Sequence, residues 1–250
     1  MNIVTVFDYD LKDINNQAML RMFIGGILEH CLNFPYKIWI ITSQVDAIDS
    51  MFNSSSIRTI RAKNNRLDIP PNMPNIKYKL YNLCHLDFEF IYLDCDIYVN
   101  GDLSYLWNKR KDKPFISTMH QRDIEGHTSD NSDFMNSGLQ IVSDPDFLDY
   151  DKLYELAQQL NFKFDVPGTD QALLDVYCRK IGYNFVHKDI GCEYNSCAGY
   201  GLVDIDDEYN FSITYKNKDI EYPVKINHYW NEFKPWVINC PIFKFYKETI

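Results

Sequence analysis

The sequence lacks several features that would assign it to a class at once. No apolar run approaches about 18 residues, so no membrane-spanning helix is predicted. The 10 glycines form no G-x-G-x-x-G, which argues against a glycine-rich phosphate loop. The 7 cysteines include no C-x-x-C pair, and an odd number at irregular spacing is typical of reduced, structural thiols. Together with a start that resembles a strand rather than a signal peptide, these absences predict a cytoplasmic protein.

Positive charge is also scarce. The chain has 25 Lys and Arg against 35 Asp and Glu, a net charge of -10, and its longest basic run is Lys109-Arg110-Lys111. A phosphate backbone would be repelled, so a nucleic-acid partner is not expected. A composition of 46% hydrophobic and 24% charged residues, with 18 Tyr and 16 Phe, is that of a globular protein. Without repeats or a low-complexity linker, residues 1–250 are predicted to form one domain.

Short apolar runs alternate with helical patterns over much of the chain. The predicted strands are residues 2–8, 37–42, 56–61, 90–93 and 139–143. Helices are predicted from Leu20, Ile24, Leu28 and Cys31 on one face, and over residues 76–84, 147–160 and 170–181. The last fifty residues have no clear periodicity. The alternation predicts an α/β fold with a mostly parallel central sheet flanked by helices, in which ligands gather at the carboxyl ends of strands.

Asp94 and Asp96 interrupt an apolar run at the end of a predicted strand. In an extended chain, residues i and i+2 point the same way, so the two carboxylates face one spot. Two like charges at one spot require protons or a cation, and a divalent metal would satisfy both. The alternative is a pair of solvated loop acids that follow a strand.

Asp8 and Asp10 form a second D-x-D after a strand. Haloacid-dehalogenase-like phosphatases begin in this way, but their motif usually continues with Gly or Thr, whereas Leu11 and Lys12 follow here. No convincing later acidic motif accompanies the pair, so a phosphatase is the less favoured alternative.

Four motifs occur in the order found in one enzyme family. They are Y-L-D-C-D at 92–96, F-M-N-S-G at 134–138, T-D-Q at 169–171 and H-Y-W-N-E-F-K-P-W at 228–236. In this set the chain resembles glycosyltransferase family 8, the glycogenin-like group with a GT-A fold. The resemblance implies retaining transfer of a hexose, glucose or galactose, from a UDP-sugar to a glycan, a protein or the enzyme itself. A homodimer is compatible with the resemblance. The alternative to an enzyme is a noncatalytic module that binds nucleotide sugars.

The resemblance also implies a metal site. Asp94, Asp96 and His228 would bind a divalent cation that bridges the two phosphates of the donor. A set of two carboxylates and one imidazole favours Mn²⁺, with Mg²⁺ as a possible substitute. Without the motif, a lone histidine beside aromatic residues is more often a packed core residue.

Roles for the remaining motif residues follow from the same resemblance. Lys234 would stabilise charge on the departing diphosphate, and Lys79 would contact the donor. Asp170 and Gln171 would lie near the anomeric carbon, as a nucleophile or as a stabiliser of an oxocarbenium-like ion. Alternatively, Asp170-Gln171 after Thr169 is an ordinary helix start. The expected substrate contacts comprise Val6, Asp8, Lys79, Cys95, Asn136, Ser137, Gly138 and Asn231.

The match is imperfect at both ends of the nucleotide site. Residues 7–10 read F-D-Y-D where the family commonly has an Asn-rich loop followed by Tyr, which leaves the uracil preference open. Asn231 stands where the family usually has Gly. Its side chain would narrow the diphosphate pocket or point outward.

Overall fold

A computed structural model describes most of the chain. The described residues are 1–63, 69–70, 73–119, 135–164, 169–197, 202–207, 212–217, 220–229, 234–238 and 240–250. None of the helices among them is long and apolar enough to span a bilayer. The strands are β1 Asn2–Val6, β2 Lys37–Thr42, β3 Ile57–Arg61, β4 Phe90–Leu93, β5 Ile97–Val99, β6 Phe115–Met119, β7 Met135–Val142, β8 Ser196–Cys197, β9 Leu202–Asp207, β10 Ser212–Asn217, β11 Ile220–Pro223 and β12 Ile226–His228. The helices are α1 Ile14–His30, α2 Val45–Met51, α3 Tyr81–Leu83 with a preceding π-helical turn at Asn75–Leu80, α4 Ser104–Lys109, α5 Tyr150–Gln159, α6 Thr169–Lys180 and α7 Pro241–Glu248.

A six-stranded sheet forms the centre of the molecule, in the order β3-β2-β1-β4-β7-β6. The first four of these strands are parallel neighbours, while β7 is antiparallel to both β4 and β6. Ile3 and Val4, adjacent on β1, enter two different apolar clusters, so the sheet is covered on both faces. Burial on both faces explains why these strands read as continuous apolar runs. The predicted mostly parallel α/β sheet flanked by helices is confirmed.

Local sequence explains where the first helix begins and which side it buries. Asp13 caps α1, because its carboxylate accepts a hydrogen bond from the backbone N–H of Asn15 at 2.9 Å. Ile24 and Ile27 face the sheet, and Cys31 beyond the helix is also buried. The expectation that Leu28 shares this face is wrong. Its side chain is 40% exposed, since Ile27 takes the inward position in that turn.

Two small sheets account for much of the segment that showed no periodicity. Strands β9, β10 and β11 form an antiparallel meander. Strand β12 lies between β5 and β8, antiparallel to β5 and parallel to β8. Because β5 follows β4 after only three residues, this second small sheet lies directly beside the carboxyl end of β4.

Candidate active site

A cavity of about 500 Å³ opens where β1 and β4 end and β7 begins. Asn231 lies outside the described residues, and every other predicted site residue lines this cavity. These residues are Val6, Asp8, Lys79, Asp94, Cys95, Asp96, Asn136, Ser137, Gly138, Asp170, Gln171, His228 and Lys234. The lining residues that the sequence did not predict are Tyr9, Pro74, Asn75, Tyr78 and Tyr92.

Three candidate metal ligands meet at one side of the cavity. Asp94 and Asp96 lie in the turn between β4 and β5, and β12 places His228 opposite Ile97 of β5. The imidazole Nε2 is 3.2 Å from Asp96 Oδ1 and 3.6 Å from Asp94 Oδ2. One ligand atom from each of these three side chains lies within 4.8 Å of the others. The pairing of β12 with β5 therefore brings distant parts of the chain to one point.

Backbone hydrogen bonds fix the turn that carries the two acids. The N–H of Asp94 donates to the carbonyl of Gly138 on β7 at 2.9 Å. The N–H of Tyr229 donates to the carbonyl of Asp96, also at 2.9 Å. The turn is thus anchored on one side to the large sheet and on the other to Tyr229, the residue that follows β12.

Two lysines neutralise part of this acidic site. Lys234 Nζ is 2.5 Å from Asp96 Oδ2, and Lys79 Nζ is 2.9 Å from Asp94 Oδ1. Burial works to raise the pKa of Asp96, but His228 and Lys234 outweigh it and hold that pKa below the usual carboxyl value. Burial likewise works to lower the pKa of Lys79, yet the neighbouring Asp170 and Asp94 raise it above the ordinary lysine value. Asp96 and Lys79 are therefore both charged at neutral pH.

Asp170 sits at the start of α6 and is only 2% exposed. Its carboxylate is 2.8 Å from Lys79 Nζ and accepts hydrogen bonds from Ser137 Oγ at 2.7 Å and Asn75 Nδ2 at 3.1 Å. Burial works to raise its pKa, but Lys79 and the two donors lower it below the usual value. Asp170 therefore fits both interpretations. It lies in the first turn of a helix, and its carboxylate faces Lys79 in the cavity. Gln171 lines the cavity beside it.

Gly138 is a close neighbour of the imidazole. A Cβ atom on Gly138 would lie 2.2 Å from His228 Cε1 and 2.7 Å from Nδ1, which is too close for any side chain. Asn136 supports this position, because its Oδ1 accepts from the N–H of Gly138 at 2.9 Å. The glycine of the F-M-N-S-G motif thus makes room for the candidate metal ligand.

Val6, Asp8 and Cys95, the predicted nucleoside contacts, line the same cavity. Asp8 Oδ1 accepts a hydrogen bond from Ser43 Oγ at 2.8 Å. The thiol of Cys95 is buried, and burial raises its pKa well above the ordinary value. Asp10, the second acid of the phosphatase-like pair, instead accepts from the N–H of Lys12 at 2.9 Å in a local turn. Asp8 and Asp10 therefore belong to separate environments.

Two residues that sequence reasoning missed, Tyr92 and Asn195, contact candidate metal ligands. The Tyr92 hydroxyl donates to Asp94 Oδ1. Tyr92 lies two positions before Asp94, and residues i and i+2 of a strand point the same way, so this spacing could have identified Tyr92. Asn195 Oδ1 is 3.0 Å from His228 Nδ1, and no local pattern marks that residue.

This chain is similar to known proteins in its structure but not in its sequence. No family model matches the sequence, and no curated protein matches it either. Among solved structures, it is similar to the galactosyltransferase LgtC in complex with donor and acceptor sugar analogues. That likeness has a TM-score of 0.61 at 18% identity and covers 100% of this chain and 96% of LgtC.

Two further structures have the same architecture. The glycosyltransferase GlyE of Streptococcus pneumoniae matches with a TM-score of 0.64 at 17% identity, over 98% of this chain and 59% of GlyE. Mouse xyloside xylosyltransferase 1 matches with a TM-score of 0.60 at 11% identity, over 94% of this chain and 99% of that protein. Identities this low show a common fold. The chain therefore has the fold of the GT-A glycosyltransferases.

Proposed function

We propose that this protein is a metal-dependent glycosyltransferase that takes a sugar from a nucleotide diphosphate donor. The observation that carries the proposal is the convergence of Asp94, Asp96 and His228 within 4.8 Å of one another, in a cavity that also holds Lys79 and Lys234. The cavity lies at the carboxyl ends of parallel strands, where α/β sheets bind ligands.

The donor atoms at this point fit a divalent cation. Two carboxylates and an imidazole suit Mn²⁺, and Mg²⁺ is a possible substitute. Four carboxylates and two ammonium groups line the cavity, so without a further cation it would repel a diphosphate. A bound divalent ion would neutralise the donor's phosphates and stabilise the departing nucleoside diphosphate.

The chain's own residues supply the remaining parts of the reaction. Lys234, whose ammonium lies beside Asp96, is placed to stabilise negative charge on the leaving phosphate. Asp170 and Gln171 would face the sugar and stabilise positive charge at the anomeric carbon, with retention of configuration. Lys79 holds Asp170 and Asp94 together and orients both carboxylates.

We further propose UDP as the nucleotide and a hexose as the sugar. Val6, Asp8 and Cys95 line the part of the cavity assigned to the nucleoside. The description of LgtC as a galactosyltransferase with bound sugar analogues supports a nucleotide-sugar donor and a sugar acceptor for the same architecture. The substrate contacts assigned to Asn136, Ser137 and Asn231 stay predictions.

Release of free UDP from UDP-sugars in the presence of Mn²⁺ tests this function. Asp94→Asn and Asp96→Asn should each reduce the rate by more than about a hundredfold while the circular-dichroism spectrum stays native. Asp10→Asn is the matched control and should keep wild-type turnover, because Asp10 caps a local turn.

The outcome separates the proposed function from its alternatives. A noncatalytic module would bind UDP-sugars but would release no free UDP from them. Unchanged turnover in Asp94→Asn would remove the metal assignment. Mg²⁺-dependent phosphatase activity abolished by Asp10→Asn would favour the phosphatase interpretation.

A further inference from the structure

The imidazole of His228 is enclosed by protein atoms. Its side chain is 4% exposed, with Nε2 directed at the two acids and the ring edge against Gly138. On the remaining side, Nδ1 lies 3.0 Å from Oδ1 of Asn195, which is itself only 4% exposed. Asn195 precedes β8, the strand that pairs with β12 beside His228.

A second hydrogen bond holds the side chain of Asn195 in place. Its Nδ2 donates to Oγ1 of Thr118 on β6 at 2.7 Å. The other end of the amide, Oδ1, faces the imidazole. A carbonyl oxygen can only accept, so Nδ1 of His228 carries a proton. When Nε2 binds a cation held by Asp94 and Asp96, it does so through its lone pair, and the ring proton is then on Nδ1, which needs an acceptor.

We propose that Asn195 is a positioning residue that fixes the tautomer and orientation of His228 for metal binding. The inference rests on the proposed function, since it concerns the same metal site. Metal-bound histidines usually donate their second N–H to an acceptor of this kind, which fixes the ring and raises its basicity as a ligand. The hydrogen bond that Asn195 donates to Thr118 extends the support to the central sheet.

Mn²⁺ binding to the full chain without donor, followed by electron paramagnetic resonance, tests the proposal. Asn195→Leu removes the acceptor and should weaken Mn²⁺ affinity by about 10- to 100-fold. Asn195→Asp restores an acceptor at the same place and should recover affinity to within about threefold of wild type. A residue that only fills space would show no such rescue.

A control variant separates orientation from general loosening of β12. Asn227 is a fully buried amide beside His228 in sequence, and it donates to the hydroxyl of Tyr229. Asn227→Leu should lower the melting temperature in the way that Asn195→Leu does, but leave Mn²⁺ affinity nearly unchanged. Equal loss of affinity in both variants would overturn the proposal.

The tautomer provides a readout that needs no metal. Nitrogen-15 chemical shifts of His228, identified by comparison with His228→Ala, should show a protonated Nδ1 in the wild type and a shift toward protonated Nε2 in Asn195→Leu. An unchanged tautomer in Asn195→Leu would refute the role of Asn195. If wild-type protein fails to bind Mn²⁺, the proposed function fails, while these shifts still decide whether Asn195 sets the tautomer.

Discussion

At the scale of single residues, a missing side chain determines where the imidazole can lie. Gly138 has no Cβ, and His228 occupies the space that one would fill. Gly138 is needed because the imidazole approaches the strand closely, rather than for a left-handed backbone conformation. A side chain at this position would therefore first displace His228, a candidate metal ligand.

Gly138→Ala is therefore expected to displace His228 and weaken Mn²⁺ binding by more than about tenfold. It should also lower the free energy of unfolding by about 1–3 kcal/mol, as overpacked cores do. Metal titration and urea unfolding measure the two effects. Gly101→Ala is the control. Its new Cβ would meet the flexible side chain of Lys225, so metal binding should be retained. Wild-type metal affinity in Gly138→Ala would contradict the assigned role.

At the scale of elements, α1 and α7 pack closely through another glycine. Tyr246 of α7 lies over Gly25 of α1, and its hydroxyl donates to Glu29 Oε1 at 2.8 Å. A Cβ on Gly25 would lie 2.1 Å from the Tyr246 hydroxyl oxygen. The contact holds α7 against α1.

Gly25→Ala should thus destabilise the fold by about 1–3 kcal/mol, measured by chemical denaturation. In the double variant with Tyr246→Ala the collision is absent. The two effects should then be less than additive by at least about 0.5 kcal/mol. Simple additivity would show that the helices separate without strain.

Elements also differ in how far the sequence alone defined them. The bounds of β2 and β4 were predicted correctly, because strands buried on both faces read as unbroken apolar runs. Strands β8 and β12 have two and three residues, which is too short to show any period. Their pairing is set by contacts distant in sequence. The role of His228 was therefore predicted only from a family motif, and Asn195 was not predicted.

At the scale of the whole molecule, the cavity joins the central sheet to the small β5-β12-β8 sheet. A ligand held by residues of both sheets stabilises the folded chain by mass action. UDP and Mn²⁺ added together should raise the melting temperature more than the sum of their separate effects. At about 100 times the dissociation constant, the expected stabilisation is about 2.7 kcal/mol.

A thermal-shift panel of nucleotide sugars with and without Mn²⁺ measures this effect and identifies the preferred donor. Asp96→Asn is the control and should remove the Mn²⁺-dependent part of the shift. Equal shifts with and without the metal would indicate that the nucleotide binds independently of the acidic site.

The antiparallel pairing of β12 with β5 has a consequence for biosynthesis. During translation, Asp94 and Asp96 leave the ribosome long before His228, so a nascent chain carries an acidic pair without its imidazole. If the proposed metal site is correct, tight capture of the ion would have to wait until β12 has emerged and docked. Acquisition of the ion would then be a late event that marks a chain whose distant segments have already come together.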